Sequence, residues 1–104
     1  MSNVGERWTL TQRAEGDLAD IWRFGVRKWS IEQADRYQDA ILDVLDMLGR
    51  HPGIAPRRDH LLPGLRAFPH ASHVIFYRAT DPDRGGIEIL RIGHGRQDWS
   101  ALIR

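Results

Sequence analysis

LLPGLRAFPHASHVIFYRATDPDRGGIEILRIGHGRQD, residues Leu61 to Asp98, decides the fold of this chain. From Leu65 to Ile92 the stretch is rich in residues that suit a pleated surface. It is broken at Pro69 to Ser72 and at Asp81 to Gly86, where Pro, Asp and Gly supply turn conformations. Three consecutive antiparallel strands, a meander, are predicted. On the middle strand His73, Ile75 and Tyr77 alternate with Val74, Phe76 and Arg78, and apolar residues on both sides predict a central position in the sheet. Arg91, His94 and Arg96 fall at the end of the last strand, where side chains leave the sheet and a recognition surface is expected.

Upstream, Trp8-Thr9-Leu10 reads as a short first strand, and Thr11 offers an N-cap. Ala14, Leu18, Ile21, Trp22, Gly25 and Trp29 then recur at helical spacing, predicting a helix over about Gln12 to Lys28. Gly25 lies on its apolar stripe, where a glycine costs about 1 kcal/mol relative to alanine, so a second backbone is expected to pack close there. Ser30 and Gln33 form a capping-box pattern that starts a second helix at once. That helix carries Ala34, Tyr37, Ile41, Val44, Leu45 and Leu48 opposite a charged face. Leu42 and Met47 widen its apolar arc, which fits either a helix that packs on a partner as well as the sheet or one sunk deeper in its own core. Gly49, Pro52, Gly53 and Pro56 end the helix and open an irregular, polar connection through Pro63-Gly64. The predicted class is α+β: an N-terminal strand, then an α-helical hairpin packed on a small antiparallel sheet with a C-terminal three-strand meander, in the order β-α-α-β-β-β.

The 104 residues fit one domain, 1–104, with 1–6 expected to be a flexible N-terminus. The chain has no cysteine, so disulfides and thiolate metal sites are excluded and a reducing cytoplasm is expected. The polar opening MSNVGERWTLTQR and the absence of any long apolar run point away from secretion and membrane spanning. A net charge of +1 conceals an asymmetry: the first 50 residues have 7 basic against 9 acidic side chains, the remainder 8 against 5. All five histidines lie in the second half, and every basic residue but Lys28 is arginine. That bias fits an acidic partner, and equally a genome that favours arginine codons; it is too slight for a dedicated nucleic-acid binder.

Arg66, Arg78, Arg91 and Arg96, with His94 and Tyr77, would converge if they shared a sheet face. Such a set suits RNA cleavage through the 2′-hydroxyl, with arginines on the phosphorane and His94 or a tyrosine moving the proton. Because a one-residue slip in register reverses every side chain, spacing leaves this open against a plain surface reading. No cysteine nucleophile, serine elbow or phosphate-cradling loop is present, and scattered histidines predict neither metal nor cofactor. The tryptophans read mostly as core, with Trp99, just past the cluster, as a possible partner contact.

Taken together, Leu10-Thr11, Ala14-Glu15-x-Asp17-Leu18, Ile21-Trp22, Trp29, Ala34-x-x-Tyr37, His51-Pro52-Gly53, Pro63-Gly64-Leu65-Arg66, His73 to Arg78 and Arg91-Ile92-x-His94-x-Arg96-x-Asp98 resemble the ParE toxins of the RelE/ParE superfamily, in an order that covers nearly the whole chain. The resemblance implies a RelE/ParE-like fold and a cytoplasmic toxin of a type II toxin–antitoxin system associated with plasmid stabilization and growth arrest. It further implies neutralisation in a hetero-oligomer by a ParD-like antitoxin that folds on binding, DNA gyrase as the target, and no sequence-specific nucleic-acid binding by the toxin alone. Arg91, His94, Arg96 and Trp99 are the expected target contacts; Trp22, Ile41, Leu45, Arg66 and Arg78 are the expected antitoxin contacts. In the RelE branch, which cleaves mRNA on the ribosome, Arg78, Arg91, His94 and Arg96 would be catalytic. By the same resemblance Trp99 stands at the place of the C-terminal RelE tyrosine, and the loop from His51 to Leu62 has no lysine, which favours the binding reading. A relative that only binds its antitoxin is the third reading.

Overall fold

A computed structural model describes residues 7–80 and 85–104. Residues 1–6, expected to be a flexible N-terminus, and 81–84 of the expected second turn lie outside the described residues.

Both helices begin where the sequence offers caps. Thr11 accepts a hydrogen bond from the Ala14 N–H and opens α1, Gln12–Lys28; its hydroxyl also donates to the Leu90 carbonyl at 2.9 Å, so the cap anchors the helix to the sheet. Ser30 accepts from the Gln33 N–H and opens α2, Ile31–Arg50. The helices meet where Gly25 faces Ala34: a Cβ added at Gly25 would stand 3.1 Å from the Ala34 Cβ, the close approach that its place on the stripe implies. Trp22 Nε1 donates to Asp35 at 2.8 Å across the same hairpin.

The remaining strands are β1 (Trp8–Leu10), β2 (Arg66–His70), β3 (His73–Ala79) and β4 (Ile87–His94), in the spatial order β1-β4-β3-β2. The meander is antiparallel and β3 is internal, as its two apolar sides require. The sheet as a whole is mixed rather than antiparallel. β1 runs parallel to β4, with Trp8 opposite Ile87 and Leu10 opposite Ile89, because the two-helix crossover returns the chain in the same direction.

The sheet has two covered faces. Against the helices lie Ile75, Tyr77, Ile87, Ile89 and Ile92, packed with Leu18, Ile41, Leu45 and Leu48. On the far face Ala67, Val74 and Phe76 pack with Leu65 and with Leu102 of an unforeseen helix α3, Trp99–Ile103. The long connection is pinned from beneath: Tyr77 donates to the Pro52 carbonyl at 2.8 Å, Arg66 to the Ala55 carbonyl at 2.6 Å, and the Gly64 N–H to Asp59 at 2.8 Å.

Ile41 and Leu45, expected as antitoxin contacts, are fully buried at 0% exposure. Four strands give α2 a wide floor, and its stripe is spent on that floor. Truncating Ile41 to alanine should therefore destabilise the isolated protein by about 2–5 kcal/mol, read as a lower urea midpoint with an unchanged slope.

Candidate functional site

The arginines whose convergence the spacing left open do not share one sheet face. Arg66 stands opposite Tyr77 on the helix-facing side of the sheet, whereas Arg78, the next residue along, points to the other face and lies 3.8 Å from Glu88. Tyr77 is buried, and burial pushes its hydroxyl pKa up. Register could not be read from spacing, and it separates these groups.

Arg91 is turned inward. Its Nε and Nη2 donate to the two carboxylate oxygens of Asp17 at 2.8 and 2.9 Å, and its Nη1 donates to the Leu102 carbonyl at 2.9 Å. Asp17 also accepts from the Ile92 N–H at 2.9 Å. The pair is only 17% and 14% exposed, so Arg91, expected at the rim, instead holds α1, β4 and α3 together.

The rim itself is a tight turn beyond β4. Gln97 accepts from the His94 N–H at 2.6 Å, and the Arg96 N–H donates to His94 Nδ1 at 3.2 Å. With Nδ1 accepting, the neutral His94 ring carries its hydrogen on Nε2. His94 and Arg96 are exposed and make no ion pair among the described residues. Trp99 is half-buried edge-on against Phe76, with centroids 5.2 Å apart, and the Arg58 guanidinium lies 5.6 Å from its ring.

Register builds a constellation that sequence reasoning missed. His70 pairs with His73, and His73 with His94, so β2, β3 and β4 present a row of three imidazoles on the helix-facing side. Tyr37 of α2 covers it: its hydroxyl is 2.7 Å from His73 Nδ1, and its ring centroid is 5.8 Å from that of His70. The His73 and His94 rings meet edge to face at 5.8 Å. Burial, then the nearby His94 and His70, holds the His73 pKa below the usual histidine value; burial raises that of Tyr37 against a hydrogen bond to Ser72. The only advance signal was that all three lie at strand ends.

His73 and His94 close one end of a groove of about 730 Å³, whose other walls include Phe24, Lys28 and Trp29 of the helical hairpin. Phe24, Trp29 and neighbouring Ile31 are more than half exposed, an apolar ridge beside the opening. Among the described residues no group of three or more His, Cys, Asp or Glu is arranged to hold a metal ion, and no helix is long and apolar enough to cross a membrane.

Residues 9–99 match the family model described as the ParE toxin of the type II toxin–antitoxin system parDE. Toxin ParE1 of Caulobacter vibrioides is 34% identical over 87 residues, spanning 84% of this chain and 86% of that protein. Toxin ParE1 of Mycobacterium tuberculosis is 30% identical over 95 residues, spanning 91% and 95%. Among solved structures, a chain of the chromosomal ParDE system from P. aeruginosa superposes with a TM-score of 0.71 at 22% identity, covering 85% of this chain and 94% of that one. A chain of the M. tuberculosis RelBE2 toxin–antitoxin complex gives 0.60 at 22% identity, covering 88% and 99%. These two likenesses establish the shared fold.

Two outcomes follow from the geometry. Asp17→Ala strands the Arg91 guanidinium and should cost about 3 kcal/mol in chemical denaturation, far more than Asp20→Ala at the exposed Arg23 pair. The lowered His73 pKa means that the unfolded chain takes up this proton near pH 6.5, before the folded chain does. His73 should therefore cost nothing above that pH and destabilise progressively below it. Melting temperatures across pH should show a shallower acid decline for His73→Gln than for the parent.

Proposed function

The chain belongs to the ParE toxins of type II toxin–antitoxin systems, and on that footing we propose that it arrests growth by binding and inhibiting DNA gyrase until a ParD-like antitoxin covers it. The observation that carries this reading is the family match over residues 9–99. The geometry supports it: His94 and Arg96 stand out from a rigid turn with no anionic partner among the described residues, beside the half-buried Trp99. A rim of that kind recognises a macromolecular surface. Arg91 contributes by fixing the strand that carries the rim.

Binding rather than catalysis is favoured because the arginines that would stabilise a phosphorane diverge to the Ala55 carbonyl, Glu88 and Asp17. For the antitoxin, the ridge of Phe24, Trp29 and Ile31 offers apolar surface to a segment that folds on binding, with the groove alongside and half-buried Trp22, bonded to Asp35, on the same helical hairpin. Arg78, exposed and held only at 3.8 Å, is available to an acidic residue of the same partner; Arg66 serves by fixing the loop. The ParDE and RelBE2 systems of the structural neighbours support a toxin–antitoxin hetero-oligomer. With no spanning helix among the described residues, the cytoplasm, where gyrase works, is the proposed location.

Purified protein assayed for gyrase supercoiling and, in a translating extract, for mRNA cleavage should block the first and leave transcripts intact. The double variant His94→Ala, Arg96→Ala should lose at least about tenfold in inhibition while melting like the parent. Undiminished inhibition by that variant would remove the rim as the effector surface, and cut transcripts with normal supercoiling would replace the mechanism.

A further inference from the structure

A tyrosine–histidine staple needs one imidazole, yet the sheet end carries three. His70, His73 and His94 are direct cross-strand neighbours, an arrangement that penalises like charges. The carboxylates on the groove, Asp17 and Asp20, both face an arginine, and only the Asp17 pair is withdrawn from water. Asp17 is held by Arg91 and the Ile92 N–H, and Asp20 by Arg23 at 2.8 Å; no acid lies within ion-pair distance of the three histidines among the described residues. The other cation on the groove, Lys28, sits 5.6 Å from the Phe24 ring, again without a carboxylate. Tyr37 and Ser72 add hydroxyls at the same end. The groups that face His73 are therefore Tyr37 from α2, His70 from β2 and His94 from β4, while the same groove is lined by Lys28, Asp17 and the exposed Asp20 of α1 and by Arg91 of β4, which is paired with Asp17. That set holds donors and latent positive charge with nothing to balance them, and it opens on a groove with ample room.

We propose that the histidine row is a proton-coupled oxyanion site, in which His73 takes a proton from solvent and a phosphate or carboxylate group docks on the ring N–H groups of His73 and His94. The bound anion offsets the cost of charging half-buried His73 beside its imidazole neighbours, and the hydroxyl of Tyr37 supplies a neutral donor beside them. Three imidazoles without metal geometry suit an anion rather than a cation. The site lies at the groove end nearest the rim but asks nothing of the gyrase or antitoxin reading. Its occupant is a free phosphate ester or an acidic side chain of a bound protein, and the two differ in which simple anion mimics them.

Reciprocal linkage sets the pH dependence. Folded His73 resists protonation in the free protein, an anion relieves that resistance, and so affinity rises as pH falls through the region below about 6.5, by up to about tenfold per pH unit for this one proton. The full chain, labelled for imidazole NMR, would be titrated with inorganic phosphate and separately with acetate, at constant ionic strength held with chloride, at about pH 5.5 and pH 8. The expected result is saturable movement of the His73 and His94 resonances, at least about tenfold tighter at the lower pH and weakened at least about tenfold in His94→Gln. His94 is exposed, so that variant keeps the fold; Tyr37→Phe should weaken binding less. Tighter phosphate identifies a phosphoryl group and tighter acetate a carboxylate. Non-saturable movement, equal affinity at the two pH values, or unaltered binding in His94→Gln would overturn the site.

Discussion

Asp17 holds this fold at its junction. One carboxylate takes both arms of the Arg91 guanidinium and the Ile92 backbone N–H, and the same guanidinium reaches the last turn of α3 through the Leu102 carbonyl. Arg13 reinforces that end, donating to the Arg104 and Leu102 carbonyls at 2.7 and 3.3 Å. The other ion pairs are of a different kind. Arg23–Asp20 and Arg57–Asp59 are about half exposed or more, and pairs so wet contribute little. At Asp17 the charges are largely withdrawn from water, so geometry must be complete, and it is: both oxygens and all three guanidinium nitrogens have partners.

That junction matters because α3 cannot stand by itself. Five residues are too few to sustain a helix in water. It persists because Leu102 lies directly over Gly93, where any Cβ would collide with the leucine side chain, and because Trp99 seals the edge against Phe76. In return α3 covers Ala67, Val74 and Phe76, so β3 is buried on both faces. The rim turn, Gly95 to Asp98, is thus stretched between a buried strand and an anchored helix. Exposed Arg96 in the turn and exposed His94 at the end of β4 are presented on a firm base.

Much of this was legible. The helix bounds were written in Thr11, Ser30 and the spacing of apolar residues, because capping and periodicity are local physics. The close approach at Gly25 and the central place of β3 followed from composition at single positions. What stayed hidden was non-local. Nothing near Trp8 says that its neighbour will be Ile87 in a parallel ladder, and WSALI is too short for its periodicity to declare a helix. Ile41 and Leu45 were misjudged because the width of the sheet they cover is not a property of α2. Arg91 shows the same limit: its chemistry suited a surface, but the carboxylate that claims it lies 74 positions away.

The deepest hidden element is one residue. Between Phe76 and Tyr77 the β3–β4 register slips, so that Tyr77 faces Ile89 while Phe76 faces Arg91, leaving Leu90 as an extra residue in the last strand. Had the pairing continued from Tyr77 without that slip, Gly93 would stand opposite His73 and Ile92 opposite Val74. The flat spot that seats Leu102 would then lie on the wrong face, and a bulky isoleucine would occupy the seat of α3. With the bulge, Gly93 faces α3, Ile92 returns to the main core, and His94 completes the row begun by His70 and His73. A single inserted residue therefore determines both how the C-terminal helix docks and which side chains meet at the groove. Side-chain alternation makes such a shift all-or-none, so the core that requires Ile92 inside also enforces the meeting of the imidazoles.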